Sequence, residues 1–297
     1  MLYKFHLCFI GIAFLFVTTN AQTVTYKASI CDKETKAIIP YATVQIANTL
    51  KYIDCDAKGY FEIEGKDADT LIVSCIGFNT LKMLAAKINT TDSFFLVKQV
   101  VKLNEVVIAK RELKTYGIVN EKPGISYTAG ADAGRTEFTT LIEIPNDVKL
   151  YKISKLFIKG RNFNSENPLR IHIYDVDSNG FPGKELLTKE TIVDNNAEVE
   201  NKILSIDVKD QNIFLEGQSF FVGIQCLATA KVKIGKAPEI YSTYKVPRLL
   251  TFRRSLKVNH YNWYALFKKD IIFFPNGVVP KDDAPDNIMA SAEIEQY

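Results

Sequence analysis

Apolar and polar residues alternate with a period of two along short segments of the chain. Residues 41–46 alternate small or polar side chains with branched apolar ones, which is the pattern of a half-buried β-strand. Residues 60–63 form a second such segment, and residues 70–78 are apolar enough for a central strand. We therefore expect the first part of the chain to fold as a small β-sandwich.

A turn is predicted immediately before residues 60–63, at Asp56-Ala57-Lys58-Gly59. Gly59 can adopt a positive φ, and the Asp56 carboxylate can accept a hydrogen bond from the backbone two residues further on. The turn would reverse the chain direction, and residues 60–63 would form the returning strand.

Nine further strand-like segments follow residue 136 at close spacing, with polar turns between them and no helical period. They are residues 138–144, 153–159, 169–174, 186–192, 203–208, 219–226, 249–258, 261–267 and 288–294. This pattern predicts a second β-sandwich, of the jelly-roll type. The predicted fold class is all-β, with two sandwich domains.

The segment at 169–174 has the clearest alternation, and residues 220–224 are almost entirely apolar, as in a central strand. Alternation divides 169–174 into an apolar face and a polar face. The apolar face carries Leu169, Ile171 and Ile173. The polar face carries Arg170, His172 and Tyr174. We expect His172 to be a surface or edge histidine and not a catalytic base.

The chain divides into four predicted parts: a signal peptide at 1–21, the first sandwich at 22–109, a linker at 110–135 and the second sandwich at 136–297. The linker combines charges with glycine and proline, as interdomain connections do. It also contains the apolar residues Ile118, Val119, Ile125 and Tyr127. These leave open that the stretch supplies the first strand of the second sandwich.

Four separated motifs occur in order in the first part: PYATV at 40–44, DAKGYF at 56–61, DTLIVSCIGF at 69–78 and LNEVVI at 103–108. Together they resemble the carboxypeptidase regulatory-like domain, which is common in envelope proteins of Bacteroidota. The resemblance implies a seven-stranded, transthyretin-like sandwich over residues 24–108 and no catalysis, because the peptidase is a separate domain. Cys55 and Cys75 depart from the family pattern, which has a threonine and an aromatic residue there.

The second half is similar to jelly-roll modules that often follow such domains in Bacteroidota. The resemblance rests on the hairpin motif YDVDSNGFPG at residues 174–183. It implies a carbohydrate-binding-like architecture and does not identify a ligand.

Residues 1–21 have the features of a secretory signal: Lys4, an apolar run at 7–17 and the small-residue site Thr19-Asn20-Ala21. They predict export to the periplasm, the outer membrane or the cell surface, with an uncleaved anchor as the alternative. No later segment approaches about 18 consecutive apolar residues, so no transmembrane segment is expected after cleavage. The net charge of +3 falls to +2 with the loss of Lys4, which gives no argument for nucleic acid as a partner.

Four cysteines follow the predicted signal: Cys31, Cys55, Cys75 and Cys226. Cys31 and Cys55 lie near strand ends and either pair or stay free, since a disulfide requires Cα atoms within about 7 Å. Cys75 and Cys226 lie in apolar segments and are expected to be buried as small hydrophobic residues. No Cys-x-x-Cys pair indicates zinc.

Asp175, Asp177, Asn179 and Gly180 imitate the opening of an EF-hand calcium loop, in which oxygens at alternate positions face one ion. Position twelve of the loop is Leu186 and not the bidentate glutamate. The alternative is a hairpin turn whose carboxylates accept backbone hydrogen bonds. Calcium at Asp175, Asp177 and Asn179 is the one cofactor considered.

Residues 245–269 are basic and aromatic, with no aspartate or glutamate. Guanidinium groups beside exposed rings could bind an anionic glycan, and the candidate ligand-binding residues are Arg253, Arg254, Tyr261, Trp263 and Tyr264. The alternative is that the rings fill the sandwich core while the cations face solvent.

Enzyme motifs are almost absent. After the predicted signal only His172 and His260 remain, without zinc-site spacing, and there is no Gly-x-Ser-x-Gly elbow. Three hypotheses follow: an exported, non-catalytic envelope or surface protein that binds other proteins or is structural, a carbohydrate-binding or adhesion module, and an unrecognised hydrolase whose carboxylates meet only in three dimensions.

Overall fold

The computed structural model describes residues 23–49, 51–90, 93–99, 112–120, 126–128, 137–161, 163, 168–193, 199–227, 248–253, 263–266, 272–273 and 286–297. The predicted signal peptide, the end of the first domain at 100–109 and the candidate residues Arg254 and Tyr261 lie outside these ranges.

The all-β prediction is confirmed: of the residues that the structure describes, 59% are in strands and 4% in helix. The helical residues of the described ranges lie in two short 3₁₀ segments, Ala85–Thr90 and Lys209–Gln211. Neither segment is long and apolar enough to cross a membrane.

In the described residues, seven strands form the first sandwich. They are β1 (Val24–Asp32), β2 (Thr43–Ile46), β3 (Tyr52–Asp54), β4 (Tyr60–Gly65), β5 (Thr70–Ser74), β6 (Leu81–Leu84) and β7 (Ser93–Leu96). One sheet has the order β4-β1-β7 and the other β3-β2-β5-β6. Strand β7 pairs parallel to β1, and the remaining pairs of both sheets are antiparallel.

The inward positions of the two sheets form one apolar core that includes Ile30, Val44, Phe61 and Val73. The predicted turn before β4 is confirmed: Gly59 has φ +67°, and Asp56 Oδ1 accepts hydrogen bonds from the amides of Lys58 and Tyr60 at 2.8 and 3.0 Å. The segment predicted at 70–78 ends as a strand at Ser74, because the chain then turns at Cys75–Phe78.

Sixteen further strands follow. They are β8 (Glu112–Gly117), β9 (Ser126–Thr128), β10 (Glu137–Ile142), β11 (Leu150–Arg161), β12 (Leu169–Val176), β13 (Pro182–Glu185), β14 (Thr191–Val193), β15 (Val199–Glu200), β16 (Ile203–Asp207), β17 (Phe214–Glu216), β18 (Phe220–Cys226), β19 (Arg248–Arg253), β20 (Trp263–Leu266), β21 (Ile272–Phe273), β22 (Asp286–Ile288) and β23 (Ala290–Gln296).

These strands form two large sheets. The seven-stranded sheet has the order β13-β12-β18-β10-β20-β21, with β14 also paired to β12. The nine-stranded sheet has the order β15-β16-β11-β19-β22 and also contains β8, β9, β17 and β23. Strands β8 and β9 therefore place two segments of the predicted linker in a sheet, while the domain limits themselves stay a prediction.

A second apolar core is built from both large sheets, and Leu169, Ile171 and Ile173 of β12 all belong to it. This confirms the apolar face predicted for β12. The prediction that residues 220–224 form a central strand is also confirmed, since β18 lies between β12 and β10.

Candidate functional site at the junction of the two sandwiches

The opposite face of β12 is also buried, and its most enclosed side chain is Arg170, which is 2% exposed. Antiparallel pairing sets Arg170 opposite Gln225 of β18 and Ile192 of β14. Its Nε donates to Glu190 Oε2 at 2.9 Å, and its Nη1 donates to Gln225 Oε1 at 3.0 Å. The second sandwich thus supplies one carboxylate and one amide oxygen to the guanidinium group.

The rest of the guanidinium group reaches the first sandwich. Nη1 donates to Thr43 Oγ1 at 3.2 Å and lies 3.6 Å from Asp54 Oδ1, and Nη2 donates to the backbone carbonyl of Tyr41. The Thr43 hydroxyl in turn donates to Asp54 Oδ1 at 2.6 Å. Arg170 therefore joins the two sandwiches by hydrogen bonds that a planar, donor-only group is suited to make.

Burial acts to lower the pKa of Arg170, but the carboxylates of Glu190 and Asp54 outweigh it and leave the pKa raised. The group is charged under all ordinary conditions, so its counterions must remain in place. A buried guanidinium group that loses its partners is strongly destabilising.

Glu190 is shared between the two sandwiches. While Oε2 accepts from Arg170, Oε1 accepts from the Ile76 amide at 3.0 Å and from the Cys75 thiol at 3.4 Å. Burial, followed by the Glu190 carboxylate, raises the pKa of the Cys75 thiol. Cys75 follows the end of β5 and packs, partly buried, against the first core, so its prediction as a buried residue within a strand was only partly correct.

The Cys75–Phe78 turn of the first sandwich lies against the chain at Thr188. A Cβ atom at Gly77 would lie 2.4 Å from the Thr188 carbonyl oxygen, so only glycine fits this approach. Gln211 holds the Thr188 region in place: its Oε1 accepts from the amides of Thr188 and Lys189 at 3.0 and 3.1 Å. The junction therefore has a backbone contact as well as the Arg170 hydrogen bonds.

His172 follows Arg170 on the same face and is 6% exposed, so its prediction as a surface or edge histidine was wrong. Its Nδ1 lies 2.6 Å from Glu185 Oε2, and its Nε2 lies 3.2 Å from Gln225 Oε1. Because Arg170 can only donate, it fixes which Gln225 atom is the oxygen. Both ring nitrogens of His172 then face acceptors, which requires the doubly protonated imidazolium.

The charge environment agrees with an imidazolium. Burial acts to lower the pKa of His172, but the carboxylates of Glu137 and Glu185 outweigh it, and the pKa is raised. Glu137 Oε2 lies 4.0 Å from Nε2. Glu185 Oε1 also accepts from the amides of Ile173 and Leu187, each at 3.1 Å, so this carboxylate is held by three contacts including the ring.

A cleft of about 970 Å³ opens beside the Arg170 contacts, between the two sandwiches. Its lining includes Ile38, Cys75 and Phe78 of the first sandwich and Glu190 and Asp210 of the second. Clefts between domains are common ligand sites, and this one combines apolar and charged groups.

The structure separates the described members of the predicted glycan-binding set. Arg253 ends β19 of the nine-stranded sheet, whereas Trp263 and Tyr264 begin β20 of the seven-stranded sheet. In the backbone register, Trp263 pairs with Thr139 and Tyr264 with Phe138. The ligand role of the whole set stays a prediction.

The predicted calcium residues lie at the β12–β13 hairpin. Asp177 Oδ1 accepts from the amides of Asn179 and Phe181, both at 2.8 Å, and Asp175 Oδ1 accepts from the Lys184 amide at 2.6 Å. These are the contacts of the alternative hairpin interpretation. Among the residues that the structure describes, no three His, Cys, Asp or Glu side chains are grouped to hold a metal ion.

Cys31 and Cys55 are both buried and both free thiols, so the structure contains no bond between them. Cys55 lies in the first core, where burial, followed by the charges of Asp54 and Asp56, raises the pKa of its thiol. The side chain of Cys226 lies outside the described residues.

Sequence reasoning did not identify the Arg170 junction or the His172 contacts. A signal was present in the residue pattern: a charged face on 169–174 next to a nearly apolar strand that ends in Gln225. Since Gln225 pairs with both Arg170 and Glu137, buried polar groups on three adjacent strands meet at one place. The identity of the covering residues, Tyr41, Thr43 and Asp54, could not be read from local sequence.

Comparison with known proteins gives a family-model match for one part of the chain. Residues 27–108 match the family model of the CarboxypepD_reg-like domain, which confirms the predicted resemblance over that range. A search of curated proteins finds no match. The match lies within the first sandwich.

Two solved structures resemble the chain only loosely. One contains the cysteine protease and lectin-like domains of Cwp84, a surface layer associated protein of Clostridium difficile. The sequences are 12% identical and the TM-score is 0.34, and the alignment covers 92% of this chain and 63% of that chain. The other is the T6 backbone pilin of serotype M6 Streptococcus pyogenes, at 12% identity and a TM-score of 0.15, covering 72% of this chain and 55% of that chain. This chain spans less than two thirds of either structure, and likenesses of this size identify no function.

Proposed function

We propose that the protein is an exported, non-catalytic envelope or surface component that binds another protein through the first sandwich. The predicted signal at residues 1–21 supports export, and the CarboxypepD_reg-like match supports a binding or structural domain. The observation that carries the proposal is a row of exposed apolar side chains beside an edge strand of the first sandwich.

The row consists of Ile38, Phe95 and Val97, which are 53%, 40% and 46% exposed. Ile38 bridges to Cys31, and Cys31 pairs with Phe95, so the row runs across the outer face of the β4-β1-β7 sheet. Exposed apolar side chains that adjoin one another are typical of protein-binding surfaces.

The position of the row favours an extended partner segment. Within the described residues β7 pairs with β1, and an extended partner segment would add to this sheet along the other side of β7. Ile38 also lines the cleft between the sandwiches, so the apolar row continues into that cleft. The Lys36 ammonium group lies 4.4 Å from the centroid of the Phe95 ring and adds a positive charge beside the row.

Two partly buried carboxylates support a non-catalytic role. Glu190 is bonded to Arg170 and to the Ile76 amide, and Glu185 is bonded to His172 and to two amides. These carboxylates have structural partners, which is the opposite of the poised acid and base that a hydrolase requires.

The test is capture of partners from an envelope extract by the immobilised mature protein. We expect the Phe95→Ser/Val97→Ser double variant to lose bands that the wild type retains. Val199→Ser is the matched control, because Val199 is also an exposed apolar residue but belongs to the second sandwich. Equal capture by the wild type and the double variant would overturn the proposal.

The carbohydrate-binding alternative keeps one specific observation in its favour. Trp263 and Tyr264 are consecutive positions of β20, which pairs with β10 in the seven-stranded sheet, so two of the aromatic candidates share one strand. A glycan array on the wild type, Trp263→Ala and Arg253→Ala/Arg254→Ala separates the two functions. Binding that disappears in those variants would favour the glycan function over the protein-binding one.

A further inference from the structure

The apolar row of the first sandwich, formed by Ile38, Phe95 and Val97, has a cation above it. The Lys36 ammonium group lies 4.4 Å from the centroid of the Phe95 ring, and Phe95 is 40% exposed. A cation over the face of an aromatic ring is attracted to the ring, even at an exposed site. The row therefore presents a positive charge together with its apolar side chains.

A closed turn after β1 fixes the backbone of Lys36 beside the row. The Lys36 amide donates to the Asp32 carbonyl at 3.0 Å, and the Asp32 amide donates to the Ala37 carbonyl at 2.8 Å. At the start of the same turn, the amide of Lys33, another exposed lysine, donates to the Leu96 carbonyl of β7 at 2.8 Å. The turn therefore ties two exposed lysines to the strand that carries the row.

The two carboxylates of this turn are bonded elsewhere or face solvent. Asp32 is buried, with Oδ2 3.1 Å from the Lys98 ammonium group, and its Oδ1 accepts from two amides of the turn at 2.8 and 3.3 Å. Glu34 is exposed and forms no ion pair within the described part of the chain. With Lys33 and Lys36, three lysines face two carboxylates, so this end of the row has a net positive charge.

The cation restricts what can cover the row. A partner that covers Phe95 either buries the Lys36 ammonium group or displaces it from the ring. Burial of an ammonium group without a carboxylate is costly, and displacement gives up the attraction to the ring. A basic partner would add repulsion between like charges. A segment that carries a carboxylate next to its apolar side chains pairs with the ammonium group and buries the ring at once.

We propose that the apolar row binds an acidic segment of a partner protein, in which a carboxylate flanked by apolar residues pairs with Lys36. This inference rests on the proposed protein-binding function and names the chemistry of the partner. Lys33 and Lys98 are also exposed on the β7 side of the turn, so a segment with more than one carboxylate has further cations within this surface.

The probe is a library of short random peptides displayed on phage. The library is selected on the immobilised mature protein and depleted on the Phe95→Ser/Val97→Ser variant, so that the retained peptides bind the row. We expect these peptides to combine aspartate or glutamate with apolar residues. Retained peptides that are apolar and lack acidic residues would overturn the acidic partner and leave the protein-binding function standing. If no peptide distinguishes the two proteins, the proposed function and this inference both fail.

Charge reversal tests Lys36 itself, with fluorescence anisotropy of the tightest-binding retained peptide as the measurement. Lys36→Glu should weaken binding about tenfold, and high salt should weaken binding to the wild type. Lys82→Glu is the matched control, because it makes the same charge change at an exposed position of β6 in the other sheet, and it should leave the affinity nearly unchanged.

A charge exchange completes the test. Replacement of the acidic residue of the peptide by lysine should restore binding to Lys36→Glu and weaken binding to the wild type. Equal affinity of the original peptide for Lys36→Glu and the wild type would overturn the proposal, even if the Phe95→Ser/Val97→Ser variant has lost binding.

Discussion

The two faces of strand β12 are equally buried and chemically opposite. One face places Leu169, Ile171 and Ile173 in an apolar core, and the other places Arg170 and His172 among carboxylates and amides. The apolar face is covered by the other sheet of its own sandwich. The charged face is covered in part by a different sandwich, through Tyr41 and its neighbours.

This difference distinguishes the interactions that stabilise each sandwich from the interactions that join the two sandwiches. The apolar face is held by non-directional burial, which tolerates shape changes of similar volume. The charged face depends on specific donors and acceptors, so one lost partner leaves several buried groups unpaired. Changes on the charged face should therefore affect the junction, and changes on the apolar face only the sandwich that contains them.

The largest expected effect is that of Arg170→Ala. Removal of the guanidinium group leaves the buried Asp54 and the partly buried Glu190 without their cation, and we expect a loss of about 3–5 kcal/mol in the free energy of unfolding. Urea unfolding measures it. Arg161→Ala, at an exposed position at the end of β11, is the matched control and should change stability by less than about 0.5 kcal/mol. Equal losses in the two variants would contradict the role of Arg170.

Gln211→Ala should have the next largest effect. The variant leaves the amides of Thr188 and Lys189 without their acceptor, at the point where the second sandwich touches Gly77. We expect a loss of about 1–3 kcal/mol, measured by the same urea titration. The control is Gln45→Ala, which removes one exposed hydrogen bond to the Thr49 carbonyl. A loss no greater than that of the control would show that Gln211 does not hold the junction.

A smaller effect is expected on the apolar face. Ile171→Val removes one buried methylene group and should cost about 0.5–1.5 kcal/mol. Ile30→Val makes the same change in the core of the first sandwich, and both residues are fully buried. Hydrogen exchange should show each loss confined to its own sandwich. A loss that spreads across both sandwiches would mean that the apolar face also couples them.

The last prediction concerns pH. Because the folded-state pKa of His172 is raised above its ordinary value of 6.5, the ring stabilises the fold below that pH. This contribution is lost as the pH rises through the folded-state pKa. The stability difference between the wild type and His172→Gln should therefore be greatest below about pH 6.5 and shrink towards alkaline pH. A difference that is constant or grows with pH would contradict an imidazolium between Glu137 and Glu185.

Local sequence chemistry predicted the local structure. The turn at Asp56 to Gly59 was correct because both residues act on backbone within four positions. The alternation of β12 was correct for the same reason, since a strand fixes the direction of each side chain by its own geometry. The motifs in residues 40–78 also led to the family that matches the first sandwich.

The junction could not be predicted because its partners are distant in sequence. Arg170 is bonded to Thr43, which lies 127 positions away, and Cys75 is bonded to Glu190 across 115 positions. His172 was assigned to the surface because an alternating strand usually has one solvent-facing side. That rule failed here because other parts of the protein cover the polar face of β12.

Denaturant-dependent hydrogen exchange with mass spectrometry tests the junction most directly. Peptides from β1 and β2 report on the first sandwich, and peptides from β12 and β18 report on the second. In the wild type, both sets should exchange at the same denaturant concentration, whereas in Arg170→Ala the first sandwich should open at a lower concentration than the second. Separate openings in the wild type, or coincident openings in Arg170→Ala, would contradict a junction held by Arg170.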